Sequence, residues 1–123
     1  PKTIFVSSFI LGNNIIDIKK IGNLFMSCLG EINSSDLLNN SNIKSMSISP
    51  KFISIKRSES GNAIVISKEF LGDFLIYKVS INEEILRVRT NINNQLNNGD
   101  KCSLSINKNG YYFLYPGAQK VYI

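Results

Sequence analysis

"FLIYKVSINEEILRVRT", residues 74–90, is the stretch whose reading decides the fold. Leu75, Tyr77, Val79 and Ile81 recur on one face with the period of two of a β-strand, with Lys78 and Ser80 on the other. Asn82–Glu83–Glu84 then turns the chain. Beyond it, Leu86 and Val88 fall on one face and Arg87 and Arg89 on the other. Alternation on both sides of a short polar turn predicts an antiparallel hairpin.

The same signature repeats outward from this hairpin. Upstream, "NAIVISKEF" (62–70) leads into the turn "LGD" (71–73). Earlier still, "KSMSIS" (44–49) sets Met46 and Ile48 against Ser45, Ser47 and Ser49, and Pro50 ends that strand because proline cannot donate to a ladder interior. "FISIK" (52–56) then places Ile53 and Ile55 inward. Downstream, the turn Asn97–Asn98–Gly99–Asp100 precedes "KCSLSI" (101–106), where Cys102, Leu104 and Ile106 alternate with Lys101, Ser103 and Ser105. Asn109–Gly110 introduces "YYFLY" (111–115), with Pro116–Gly117 after it. Nearer the start, "IIDIKKI" (15–21) and "LFMSCL" (24–29), separated by Gly22–Asn23, read as an antiparallel pair. The polar segment 31–42 reads as a loop with one weak strand. Many short strands joined by Gly/Asn turns predict an all-β fold, and a small OB-like barrel of antiparallel strands is the leading expectation.

One segment departs from this pattern. In "IFVSSFILGNN" (4–14), Phe5 and Phe9 lie four apart, as do Val6 and Ile10, with Ser7 and Ser8 opposed. Pro1 suits a helix start and Gly12 a C-terminal stop. A helix this short is marginal alone in water and needs a packing partner. The expectation is a short connector helix over 1–13 followed by a barrel domain over 14–123.

A chain of 123 residues with 43% hydrophobic and 19% charged residues belongs to the globular class. Its formal net charge of +5 permits an acidic partner. The charge is scattered, however: Lys19–Lys20 and Lys56–Arg57 are the adjacent basic pairs, and Arg87 and Arg89 share a strand face. Cys28 and Cys102 sit in apolar alternations without C-x-x-C spacing and read as reduced core thiols. There is no histidine, which removes Ser–His and Cys–His chemistry and histidine-ligated metals. The glycines form neither G-x-x-x-x-G-K-[ST] nor G-x-G-x-x-G, so no phosphate-cradling loop is written here. Glu83 and Glu84 are turn carboxylates on a solvated loop. No catalytic, cofactor-binding or metal-ligating set is predicted within this chain. Tyr111, Tyr112, Phe113 and Tyr115 could stack single-stranded bases, but no basic–aromatic interleaving occurs within a single strand, and the preferred reading is that alternating aromatics fill a small barrel and its rim.

Four segments, in order, resemble a known family. "PKTIFVSSFILGNN" resembles the P-x-T-x-F-V-A-x-F-I-G-x-x-N connector after the nucleotide-binding domain in ATP-binding subunits of ABC importers of the maltose, iron(III), polyamine and phosphosugar type. "MSISPKFISI" resembles their I-R-P-E-x-[IL]-x-[IL] strand, "EFLGDFLIYKVSI" their F-L-G-x-x-x-x-Y-x-V hairpin, and "LNNGDKCSLSI" their L-x-x-G-[DE]-x-V-x-L strand. The positions that carry the likeness are Phe5, Val6, Phe9, Ile10 and Gly12 in the connector, then Pro50, Phe70, Leu71, Gly72, Tyr77 and Gly99. Gly12 matches only if one residue, such as Leu11, is inserted, and Ser49 and Lys51 replace the family's Arg and Glu.

The resemblance implies the C-terminal regulatory domain of such a subunit, the TOBE domain, with an OB-like barrel and no catalysis of its own. It implies ATP and Mg in the parent chain, but no cofactor in this piece, and contacts of Phe5, Val6, Phe9, Ile10 and Gly12 with the missing nucleotide-binding domain. The implied partners are that domain, a second copy of the subunit and, indirectly, permease subunits, at the cytoplasmic face of a bacterial membrane. Compactness favours an iron(III)-type importer, and a start at Pro1 fits a piece of a longer protein. The alternative expectation is a stand-alone OB-type binder of single-stranded nucleic acid.

Overall fold

Twelve strands and one 3-10 turn make up the regular structure of residues 12–32 and 42–123, the residues described by the computed structural model. In chain order they are β1 (Asn14–Asp17), β2 (Lys19–Ile21), β3 (Leu24–Ser27), β4 (Gly30–Ile32), β5 (Ser45–Ile48), the 3-10 turn Pro50–Phe52, β6 (Ile53–Arg57), β7 (Ala63–Phe70), β8 (Phe74–Ile81), β9 (Glu84–Asn91), β10 (Lys101–Ile106), β11 (Tyr111–Tyr115) and β12 (Gln119–Tyr122). The chain divides into two compact units, one holding residues 50–108 and the other the segments on either side.

Within 50–108, five strands form one antiparallel sheet in the order β6-β10-β7-β8-β9. Its centre is the hairpin read from residues 74–90. β8 pairs with β9 over their full lengths, from Phe74 opposite Asn91 to Ile81 opposite Glu84. Asn82 and Glu83 join them with φ of 47° and 68°. A two-residue loop with both φ values positive matches the right-handed twist of the flanking strands. Val65, Leu75, Tyr77, Val79, Leu86 and Val88 are buried on one face, each all but inaccessible to solvent. Burying an aliphatic side chain of this size contributes roughly 1.5–3 kcal/mol, which makes this shared face the main support of the unit.

Among the described residues the expected closed barrel does not form. The described strands make three open sheets, and the outer strands β6 and β9 of the five-stranded sheet share no backbone ladder. The Ile55 carbonyl instead accepts the side-chain amide of Asn94 at 3.1 Å. Barrel closure requires continuous strand-to-strand pairing around the ring, so the OB-like and TOBE assignments drawn from the resemblance are corrected here. β7 also carries a bulge between Val65 and Ser67, after which it pairs only with β8. A bulge bends the strand and ends regular pairing on the far side.

In the other unit, β1-β5-β11-β12 form a four-stranded sheet and β2-β3-β4 a three-stranded one. The expected pairing of residues 15–21 with 24–29 is corrected in part. Only Lys19–Ile21 pairs with Leu24–Met26, while Asn14–Asp17 pairs with Ser45–Ile48 of β5. The two halves part at Ile18, whose N–H donates to the Lys44 carbonyl at 2.9 Å. β5 departs from its expected half-buried alternation in that Ser45 and Ser47 are buried along with Met46 and Ile48. It lies between β1 and β11, and the Asn13 amide donates to the Ser47 hydroxyl at 3.0 Å. A buried hydroxyl is tolerated when it is hydrogen-bonded. The expected connector helix, with Phe5, Val6, Phe9 and Ile10, lies outside the described residues; Gly12 is described, exposed and at φ 65°.

Candidate interaction face and groove

The hairpin alternation that buries one face of the five-stranded sheet also composes the other. Strand register places Lys101, Ile64, Ser80 and Ile85 in one row across β10, β7, β8 and β9. The next row holds Ser67, Lys78 and Arg87, and the next Glu69, Ile76 and Arg89. Lys56 joins the same face from β6, opposite Ser103. Ile64 and Ile85 are 47% and 55% exposed, and Ile66, the extra residue of the bulge, is 41% exposed. This outer face thus has an apolar end and a basic remainder of Lys56, Lys78, Arg87, Arg89 and Lys101, with Glu69 as its carboxylate.

At the end of the β8/β9 ladder away from the turn, Lys51, Asp73, Phe74, Arg89, Thr90 and Asn91 line an open groove of about 390 Å³. The Arg89 guanidinium stacks on the Phe74 ring at 3.8 Å, a cation–π contact that holds a long side chain in place. The neighbouring loop is anchored through Tyr77. The Tyr77 hydroxyl donates to the Asn94 carbonyl at 2.8 Å and accepts the Leu96 N–H at 2.7 Å. The Asn94 side chain also donates to Thr90 Oγ1 at 3.1 Å. On the opposite side, Arg57 pairs with Asp100 at 2.7 Å, and the Asn97 N–H donates to the same carboxylate. The Asn97 hydrogen bond and then the Arg57 guanidinium hold the Asp100 carboxyl below its ordinary pKa. Asp100 also begins β10's turn, where its carbonyl accepts the Val65 N–H.

The motif positions read from sequence have structural duties rather than a shared site. Pro50 opens the 3-10 turn. Gly72 takes φ 78° in the β7–β8 turn, where the Leu71 N–H donates to the Phe74 carbonyl. Gly99 takes φ 90° and donates to the Val65 carbonyl at 2.8 Å. Only glycine reaches such φ values without strain. Phe70 and Leu71 are exposed, while Tyr77 is fully buried. Of the two cysteines, Cys102 is a buried core thiol whose pKa is raised by that burial, and Cys28 is half-buried in the turn after β3.

The aromatic run divides by strand parity. Tyr112 and Leu114 are buried on one face, and Tyr111 and Phe113 meet edge to face at 6.0 Å on the other side of β11, where Tyr115, of the same parity, is buried at the strand's end. β12 sets Lys120 opposite Phe113 and Tyr122 opposite Tyr111, with the Lys120 ammonium 4.3 Å over the Tyr111 ring. Lys120 and Tyr122 escaped the sequence reading because Pro116–Gly117 looks like an end. The alternation in "QKVY" is the signal that could have found them.

Neither a protein-family profile nor any curated protein matches this chain. Among the described residues, no helix is long and apolar enough to cross a membrane, and no group of His, Cys, Asp and Glu gathers as a metal site.

Proposed function

We propose that this chain is a non-catalytic association and regulatory module, working by docking the outer face of its five-stranded sheet against a second copy. The observation that carries this reading is the half-exposed apolar end of that face, Ile64, Ile66 and Ile85, ringed by Lys78, Arg87 and Lys101. Apolar clusters rimmed by polar residues favour protein contacts. A constant contact of this kind raises the effective concentration of whatever is fused to each copy. The setting in this proposal is the cytoplasmic face of a bacterial membrane, where the module holds twin subunits as a pair. Sedimentation velocity is expected to show a reversible dimer that Ile85→Lys converts to monomer with unchanged urea midpoint. A wild-type chain that stays monomeric at its highest soluble concentration refutes the reading.

The basic remainder of the same face favours a second reading, the docking of single-stranded nucleic acid. Lys56, Lys78, Arg87, Arg89 and Lys101 occupy one side of the sheet. Contacts of this type weaken steeply with salt through counterion release. Fluorescence anisotropy with a single-stranded oligonucleotide tests it: binding that falls with salt and with Lys78→Glu supports it, and no binding at low salt removes it.

A further inference from the structure

The groove beside Phe74 has an unusual balance of hydrogen-bonding capacity. Thr90 Oγ1 already accepts the Asn94 side-chain amide at 3.1 Å, which leaves its O–H as a spare donor. The orientation of Asn94 is forced, because the same nitrogen donates to the Ile55 carbonyl, an acceptor only. Asn91 Oδ1 accepts the Asn93 N–H at 2.8 Å, which leaves the Asn91 amide hydrogens as spare donors. Arg89 stacks on Phe74 and Lys51 lies over the Phe52 ring at 5.1 Å. Neither cation has a carboxylate within ion-pair distance among the described residues. Four groups with donors to spare therefore line one groove, two of them cations, and Asp73 is its single carboxylate.

We propose that this groove binds a phosphoryl oxyanion, with Arg89 and Lys51 supplying charge and Thr90 and Asn91 supplying neutral donors. Two cations and two neutral donors around one groove favour an anion that carries up to two charges and spreads its acceptor oxygens over a tetrahedron rather than in one plane. A phosphoryl group presents three or more, while a carboxylate presents two. A guanidinium already held by an aromatic ring loses little freedom on pairing with an oxyanion. Asp73 sets the upper limit on affinity, since its charge opposes the anion across the groove. The site is independent of the association reading, which rests on the far end of the same sheet.

The test is a ¹H–¹⁵N chemical-shift titration of the 123-residue chain with inorganic phosphate and, separately, adenosine monophosphate, at constant ionic strength in chloride. Saturable shifts centred on Lys51, Phe74 and residues 89–91 are expected. Equal affinity for the two probes identifies free phosphate as a sufficient ligand, and tighter binding of the nucleotide identifies a nucleotide phosphoryl group. Arg89→Gln is expected to weaken binding about ten-fold or more, as loss of a charge-assisted pair does, and Asp73→Asn to tighten it by about three-fold or more through removal of a like charge. Should R89Q alter the fold, K51Q replaces it, because Lys51 is an exposed side chain outside the core. Shifts that fail to saturate, or affinities unchanged in the charge-removing variant and in D73N, overturn the proposal.

Discussion

Removing one oxygen from Tyr77 tests how the loop after β9 is held. The Tyr77 hydroxyl sits in a fully buried residue, donates to the Asn94 carbonyl and accepts the Leu96 N–H, and Leu96 is itself 2% exposed. Tyr77→Phe keeps the ring and its packing but strands the Leu96 N–H away from water. A net hydrogen bond contributes about 1 kcal/mol, and a buried donor left unpaired costs roughly another 1–3 kcal/mol. The half-buried Asn94 carbonyl recovers part of its loss from solvent. The expected destabilisation is about 2 kcal/mol, roughly a 30-fold shift in the unfolding equilibrium. Urea unfolding measures it as a lowered midpoint at unchanged slope, and amide exchange at Leu96 is expected to accelerate in the native state. Tyr112→Phe is the internal comparison. Tyr112 is 3% exposed, but its hydroxyl makes no hydrogen bond among the described residues, so its loss is expected to change stability by less than about 0.5 kcal/mol. Equal effects of the two variants would sink the argument that the loop is anchored through this hydroxyl.

Gly61→Ala is expected to destabilise by about 1–3 kcal/mol or more, because a Cβ there would stand 2.1 Å from the Cys102 carbonyl oxygen on the backbone of β10; a thermal melt within a degree of wild type would show that the strand yields easily. The Asp100 carboxyl, held below its ordinary pKa by the Asn97 N–H and Arg57, contributes stability that is present above the unfolded-state value near pH 4 and is lost as pH falls through the lower folded value. Asp100→Asn is therefore expected to flatten the urea midpoint across that acid range, and an unchanged pH dependence would count against the pair.

The hairpin was legible because two constraints coincide in residues 74–90: a side-chain period of two and a turn short enough to force neighbouring strands together. Gly72 and Gly99 were legible as turn residues, and the structure adds the reason, positive φ values of 78° and 90°. The groove was not legible. Arg89 was visible on a strand face, but Lys51, Asp73 and Phe74 reach it only because the 3-10 turn and the β7–β8 turn are brought to the end of the β8/β9 ladder. The spare donors depend on Asn93 and Asn94 engaging the acceptors of Asn91 and Thr90, and nothing in sequence spacing reveals which hydrogen bonds are already made.

Local pattern thus determined the all-β class, the strands from Ile53 to Tyr115 and the buried face of the hairpin, because alternation and turn chemistry act between near neighbours. Long-range pairing was decided by tertiary structure alone. Residues 14–17 pair with β5 rather than with the next strand, and β6 lies near β9 without a ladder. The sheets are open where the sequence suggested a closed barrel. Strand alternation specifies which face is buried; it carries no information about which edge a strand will meet or whether the last edge finds the first.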